Sequence, residues 1–201
     1  MPTASTPHLA TLPQTLVSVP AWRHTLAGRA TLAVAASLFV AAAAHASLPL
    51  WFTPVPLTFS DLAVLLVGLA LGPATAFAAL ALYLLEGASG LPVFSPFGGP
   101  GGIAQLFGHT GGYLLAYPFA AAIAGLARRK ASPLTFPRTL AFATAASALI
   151  MLSGTAWLGV ILHLSPARAL ALAALPFLPG QLVKILAATG IATTLARRSQ
   201  S

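Results

Sequence analysis

The chain has 201 residues, 58% hydrophobic and only 6% charged, with no cysteine and a formal net charge of +8. A soluble domain carries about 25% charged residues, so a water-soluble fold is excluded, and the missing thiols exclude disulfides and thiolate-held metals. The composition reads as an all-α membrane protein forming one compact bundle, whose basic residues mark cytoplasmic loops rather than a nucleic-acid partner.

Residues 1–28 mix Pro, Thr and Ser with short apolar pieces and read as a cytoplasmic N-terminal tail. Residues 29–201 then form a six-helix transmembrane domain. The first apolar run, 30–48, nearly crosses a hydrocarbon core of about 30 Å at about 1.5 Å per residue. Its basic flank and Ala44-His45-Ala46 also resemble a cleavable signal peptide, but the run is long and the flank starts late. Ala33, Ser37 and Ala41 form a small-residue stripe on this helix, the kind that lets another helix approach closely. It reads either as a docking face for a partner or as packing within the bundle.

Pro49, Pro54 and Pro56 make an extended external connection. Short spans follow at 58–71 and 74–87, separated by a tight turn at Gly72-Pro73. The stretch 86–117 holds nine glycines and three prolines among its 32 residues and cannot be regular helix across its middle. Its Phe94, Phe97, Phe107 and Tyr113 argue against a solvated linker. It reads as an external Gly/Pro-rich loop between helices 3 and 4 that forms a lid or pocket wall. The fourth span is 111–126 and the fifth about 140–162. A short surface helix covers 165–175, residues 176–180 break it, and the sixth span is 181–196.

Six spans put both termini on one side. Arg23, Arg29, Arg128, Arg129, Lys130, Arg138, Arg197 and Arg198 then share that side, against Arg168 alone opposite. By the positive-inside rule the shared side is cytoplasmic, and the Gly-rich stretch and the break at 176–180 both face outward.

Lys184 lies about one turn into the sixth span. An intramembrane charge is expensive and by default marks a functional site; the alternative is snorkelling to the interface. Gln181, three residues earlier, shares its helical face. Glu86 and Asp61 are the only acids. Glu86 is placed to pair with Lys184, to shape the cavity mouth, or simply to lie exposed at the interface. Asp61 reads as serving the first turn of the second span. Tyr83, Trp157, Phe94 and Tyr113 offer stacking for a flat ligand or interfacial anchoring. His109 and His163 are two spans apart without a ligand cluster, so no metal or other cofactor is expected. Gly98 to Gly102 lacks the Lys-Ser/Thr of a phosphate loop.

Four motifs together resemble the BioY family: Val55-Pro56-Leu57-Thr58, GASGLPVF at 87–94, Thr110-Gly111-Gly112-Tyr113-Leu114, and LPFLPG at 175–180 followed by Leu182 and Lys184. These are the biotin-binding S components of energy-coupling-factor (ECF) transporters. The resemblance spans residues 30–198. It implies a six-helix protein of the cell membrane, not an enzyme, that binds biotin from outside with high affinity. It also implies a transmembrane coupling protein and ABC-type ATPase subunits as partners, with Ala33, Ser37 and Ala41 as the docking face. The expected substrate-binding set is Tyr83, Glu86, Phe94, Thr110, Gly111, Gly112, Tyr113, Gln181 and Lys184. The chain departs from the family where Gln181 and Ser60 replace a usual Asp and Gln. That leaves Lys184 without its neighbouring acid, to be offset by Glu86, by dipoles and water, or by a ligand carboxylate. The alternatives are an S component for another small vitamin or a biotin analogue, or an intramembrane enzyme relying on Glu86 and Lys184.

Overall fold

The computed structural model describes residues 25–128 and 134–198. Most of the expected N-terminal tail, with Arg23, and the basic pair Arg129 and Lys130 lie outside these residues. Among the described residues the chain is mostly helical: α1 (Leu26–His45), α2 (Ser60–Leu71), α3 (Pro73–Ala88), α4 (Gly102–Leu106), α5 (Gly111–Gly125), α6 (Phe136–Ile161), α7 (Pro166–Ala173) and α8 (Leu178–Arg198). Three apolar stretches are long enough to cross a membrane: α1, α6, and the run from Pro166 to Arg198 that holds α7 and α8. α2, α3 and α5 are apolar but have only 12, 16 and 15 residues, about 18 to 24 Å of rise.

The ends of these helices follow local chemistry. Thr25 caps α1 by accepting the Gly28 N–H at 3.1 Å, so the helix starts four residues before the expected span. The chain turns from α2 into α3 at Gly72, whose φ of +79° suits glycine, and Pro73 occupies the first position of α3, where its missing N–H costs nothing. The open carbonyls of Leu69 and Ala70 at the end of α2 accept from Arg128 Nη1 at 3.2 and 3.0 Å. Pro176 and Pro179 confine the expected break at 176–180 to one 3-10 turn, Leu175–Phe177, and α8 already includes Pro179 and Gly180.

Two short strands not anticipated from sequence, β1 (Ser47–Leu48) and β2 (Leu57–Thr58), pair antiparallel between α1 and α2. Pro49, Pro54 and Pro56 cannot donate to a ladder, which keeps it short.

α5 lies at the centre, against α2, α3 and α6, with α1 outside α3 and α8 against α2 and α6. Small residues set these spacings. A side chain at Gly68 would run into the Ala121 carbonyl on α5, and one at Gly112 would meet Trp157 and the Ser153 carbonyl on α6. The core is mainly Ala, Leu and Val: Val40, Val64, Leu65, Leu80, Ala120, Ala146 and Ile150 are all fully buried.

The small-residue stripe expected on α1 packs largely against α3 within the chain, with Ala33 at the edge of an open groove beside Ala74 and Ala78. Ser37 is wholly buried, and Ala33 and Ala41 are buried beside it. Ser37 Oγ donates to Glu86 Oε1 on α3 at 3.1 Å. The small side chains of the stripe allow α1 to approach α3 closely.

Candidate functional site

The bundle encloses a narrow cavity of about 40 Å3 between α2, α3, α5, α6 and α8. Its floor is polar. Asp61, in the first turn of α2, accepts from Lys184 Nζ at 3.1 Å and Gln181 Nε2 at 2.5 Å on one oxygen, and from Tyr117 Oη at 2.9 Å on the other. All four side chains belong to buried residues. Lys184 and Gln181 come together because they are one turn apart on α8, and the start of α2 faces them. Lys184 and Asp61 thus form a buried ion pair. Both carboxylate oxygens are bonded, which offsets part of the cost of burying the pair.

The rest of the wall is mostly apolar and aromatic. Val55, Pro56 and Leu57 line it from the β2 approach, Tyr83 from α3, Tyr113 and Leu114 from α5, Met151 from α6 and Phe177 from the 3-10 turn. Tyr113 Oη donates to the Ala173 carbonyl at 2.7 Å, which fixes its ring. The remaining wall is the Gly-rich stretch. Gln105 Nε2 donates to the Ser95 carbonyl at 3.1 Å, Ser95 Oγ to Ser47 Oγ at 3.0 Å, and Thr110 Oγ1 to the Gly98 carbonyl at 3.1 Å. On the far side of Ser95 and Gln105 lies an open vestibule of about 510 Å3, lined also by His45, Leu91 and Gly99 to Gly102.

Of the nine expected binding residues, Tyr83, Thr110, Tyr113, Gln181 and Lys184 line the cavity. The other four do not. Glu86 turns to Ser37 on α1, so the offset to Lys184 comes from Asp61 instead. Phe94 packs edge-on against Tyr83, ring centroids 5.3 Å apart, and fills the place a side chain would take at Gly87; it backs the cavity wall and lines the vestibule instead. Gly111 and Gly112 face the Leu106 carbonyl and Trp157, where Ser153 Oγ donates to the Gly112 carbonyl at 2.8 Å and Trp157 Nε1 to that of Gly108 at 2.9 Å. They let α5 meet α6 closely. Asp61, Tyr117 and Gln105 were missed. From sequence Asp61 reads as a helix-end acid, which it also is; Tyr117 lies one turn beyond Tyr113 on α5, a spacing that places both on one face.

Fold and site together define a polytopic helical membrane protein with a small, partly polar cavity inside its bundle. The family assignment agrees: the BioY family profile matches residues 14–201. Over 160 residues the chain is 39% identical to a probable biotin transporter BioY of Pyrococcus horikoshii, covering 79% of this chain and 92% of that protein. It is 35% identical to the biotin transporter BioY of Thermotoga maritima, over 72% of this chain and 82% of that one. The chain belongs to the BioY family. Its fold is similar to that of the crystal structure of an S-component for biotin from an ECF-type ABC transporter, with a TM-score of 0.73 at 22% identity over 85% of this chain and 92% of that one.

Proposed function

We propose that this chain is the biotin-binding membrane subunit, the S component, of an ECF-type uptake transporter. The observation that carries the reading is the buried cluster of Asp61, Lys184, Gln181 and Tyr117 beneath apolar and aromatic walls, in a chain of a family whose curated relatives are biotin transporters. A ureido bicycle calls for such a pairing of donors and acceptors with an apolar surround. At about 40 Å3 the cavity is too narrow for such a ligand, so binding parts its walls. The wall formed by Ser95, Gln105 and Thr110 belongs to the Gly-rich stretch, the least regular part of the bundle, and is the one that yields.

In this reading α1, α2, α3, α5, α6 and α8 cross the cell membrane, the three short helices extended by their flanking turns. Both termini are cytoplasmic, and the Gly-rich stretch faces outward. A transmembrane coupling protein and ATPase subunits complete the transporter and power release inside. The test is to purify the protein from cells grown with biotin and identify co-purifying small molecules by mass spectrometry, then titrate the ligand-free protein with biotin. Biotin in the preparation and saturable binding are expected; another vitamin in its place would reassign the substrate, and no binding of either would overturn the reading.

A further inference from the structure

Gln181 Nε2 has two hydrogens, and both have acceptors: Asp61 Oδ2 and, at 3.2 Å, Met151 Sδ. An ionised carboxylate only accepts, so Asp61 can be bonded by the amide nitrogen of Gln181 and not by its oxygen. The orientation of this amide is therefore set by chemistry. Its oxygen, Oε1, is left buried with no partner, in a residue only 4% exposed that lines the cavity. A buried carbonyl without a donor is costly. One other unpartnered polar atom belongs to the cavity wall, the hydroxyl of Tyr83, also fully buried. The charge of Lys184 is already offset by Asp61 at 3.1 Å, so no anionic ligand is needed to neutralise it.

We propose that Asp61 is a positioning residue that fixes the specificity of the site: by holding the Gln181 amide nitrogen and the Lys184 ammonium, it turns Gln181 Oε1 toward the ligand as an acceptor and makes the site select a neutral head group that donates an N–H, of the urea, lactam or amide class. The Tyr83 hydroxyl supplies the complementary donor for the carbonyl of such a group. This rests on the reading of the cavity as the biotin site and names which end of the ligand lies over α8 and why. Without an acceptor at residue 61, the Gln181 amide is free to rotate, its oxygen is drawn to the Lys184 ammonium, and the preference for an N–H disappears.

The experiment is isothermal titration of the purified, ligand-free protein with biotin and with biotin methylated on either ureido nitrogen, comparing the ratio of affinities within each variant. A ratio taken on one sample does not depend on the fraction that is folded. The parent is expected to bind at least one methylated form about tenfold to a hundredfold more weakly than biotin, the loss of a hydrogen bond to a buried acceptor. Asp61→Asn keeps an oxygen toward α8 and should keep most of that ratio. Asp61→Leu should bring it close to one. Asp61→Leu with Lys184→Met, which removes both charges and so guards against misfolding, leaves the Gln181 amide free to turn either its oxygen or its nitrogen to the ligand and should lower the ratio severalfold without abolishing it. Biotin binding by a parent that does not discriminate, or an unchanged ratio in the Asp61→Leu, Lys184→Met protein, overturns the role of Asp61. A parent that binds no biotin at all overturns instead the reading on which the proposal stands.

Discussion

Lys184 and Asp61 meet across 123 positions of sequence, and each is costly without the other. Lys184→Met leaves the Asp61 carboxylate buried with Tyr117 and Gln181 alone. We expect it to lower stability by about 3–5 kcal/mol, the usual cost of orphaning one member of a buried pair. Adding Asp61→Leu should recover most of that loss, which thermal unfolding of the ligand-free protein in detergent will check; a double variant no better than the single would show that the two charges do not depend on each other. Tyr83→Phe tests the opposite case. Its hydroxyl is buried without a partner, so removal should leave the ligand-free protein at least as stable. Biotin binding should weaken by about tenfold, read by titration. The first half of this site was legible in the sequence. Lys184 stands out because it interrupts an apolar helix, and Gln181 because it lies one turn away. Asp61 was visible as an acid, but its role was not, since helix-end chemistry explains it locally and only the packing of α2 on α8 supplies the partner.

At the scale of elements, small residues decide how closely helices approach, and the sequence does not say which helix they approach. α1 carries alanine on every face, so the 33-37-41 spacing could not orient it, and the structure turns that face to α3. Ala33→Trp should therefore destabilise the isolated chain through overpacking, by about 1–3 kcal/mol, whether or not a partner is present. Unfolding of the purified subunit decides this; an unchanged midpoint would return the stripe to the surface. Gly111 and Gly112 were likewise recognisable as places of close approach, with a ligand expected where Trp157 and Ser153 stand. Gly112→Val should separate α5 from α6 and lower stability on the same scale, with the helix junction disturbed before the polar floor of the cavity. The β1–β2 ladder was invisible beforehand because its two-residue strands carry no periodicity to detect.

The whole molecule combines three apolar stretches of full membrane-crossing length with three shorter apolar helices. α2, α3 and α5 are shorter than a full hydrocarbon crossing, so in the proposed six-crossing arrangement turns and loops make up the difference. The six-crossing arrangement rests on the charge asymmetry, eight basic residues against one. A reporter fused after Ser201 should report a cytoplasmic C-terminus, and one inserted at Gly99, in the vestibule wall, an external position; the reverse in either place would refute the arrangement. That the chain is mostly apolar helix could be read from the hydropathy and the Gly and Pro punctuation. Which helices enclose the cavity could not, because that depends on α5 taking the central place, and nothing in its composition distinguishes it from its neighbours.

Ser95 and Gln105 stand between the cavity and the vestibule and line both. A partition shared by two spaces is a barrier in time: whatever crosses it inward must cross it again outward. Loosening it should then accelerate arrival and departure together and leave their quotient nearly unchanged. Gln105→Ala removes the bond from the Gln105 amide to the Ser95 carbonyl, worth roughly 1 kcal/mol. In stopped-flow measurements both rate constants for biotin should rise about fivefold at nearly constant Kd. How long the molecule retains its cargo would then be set by an amide in a glycine-rich loop, and how tightly it holds that cargo by a carboxylate on the far side of the cavity.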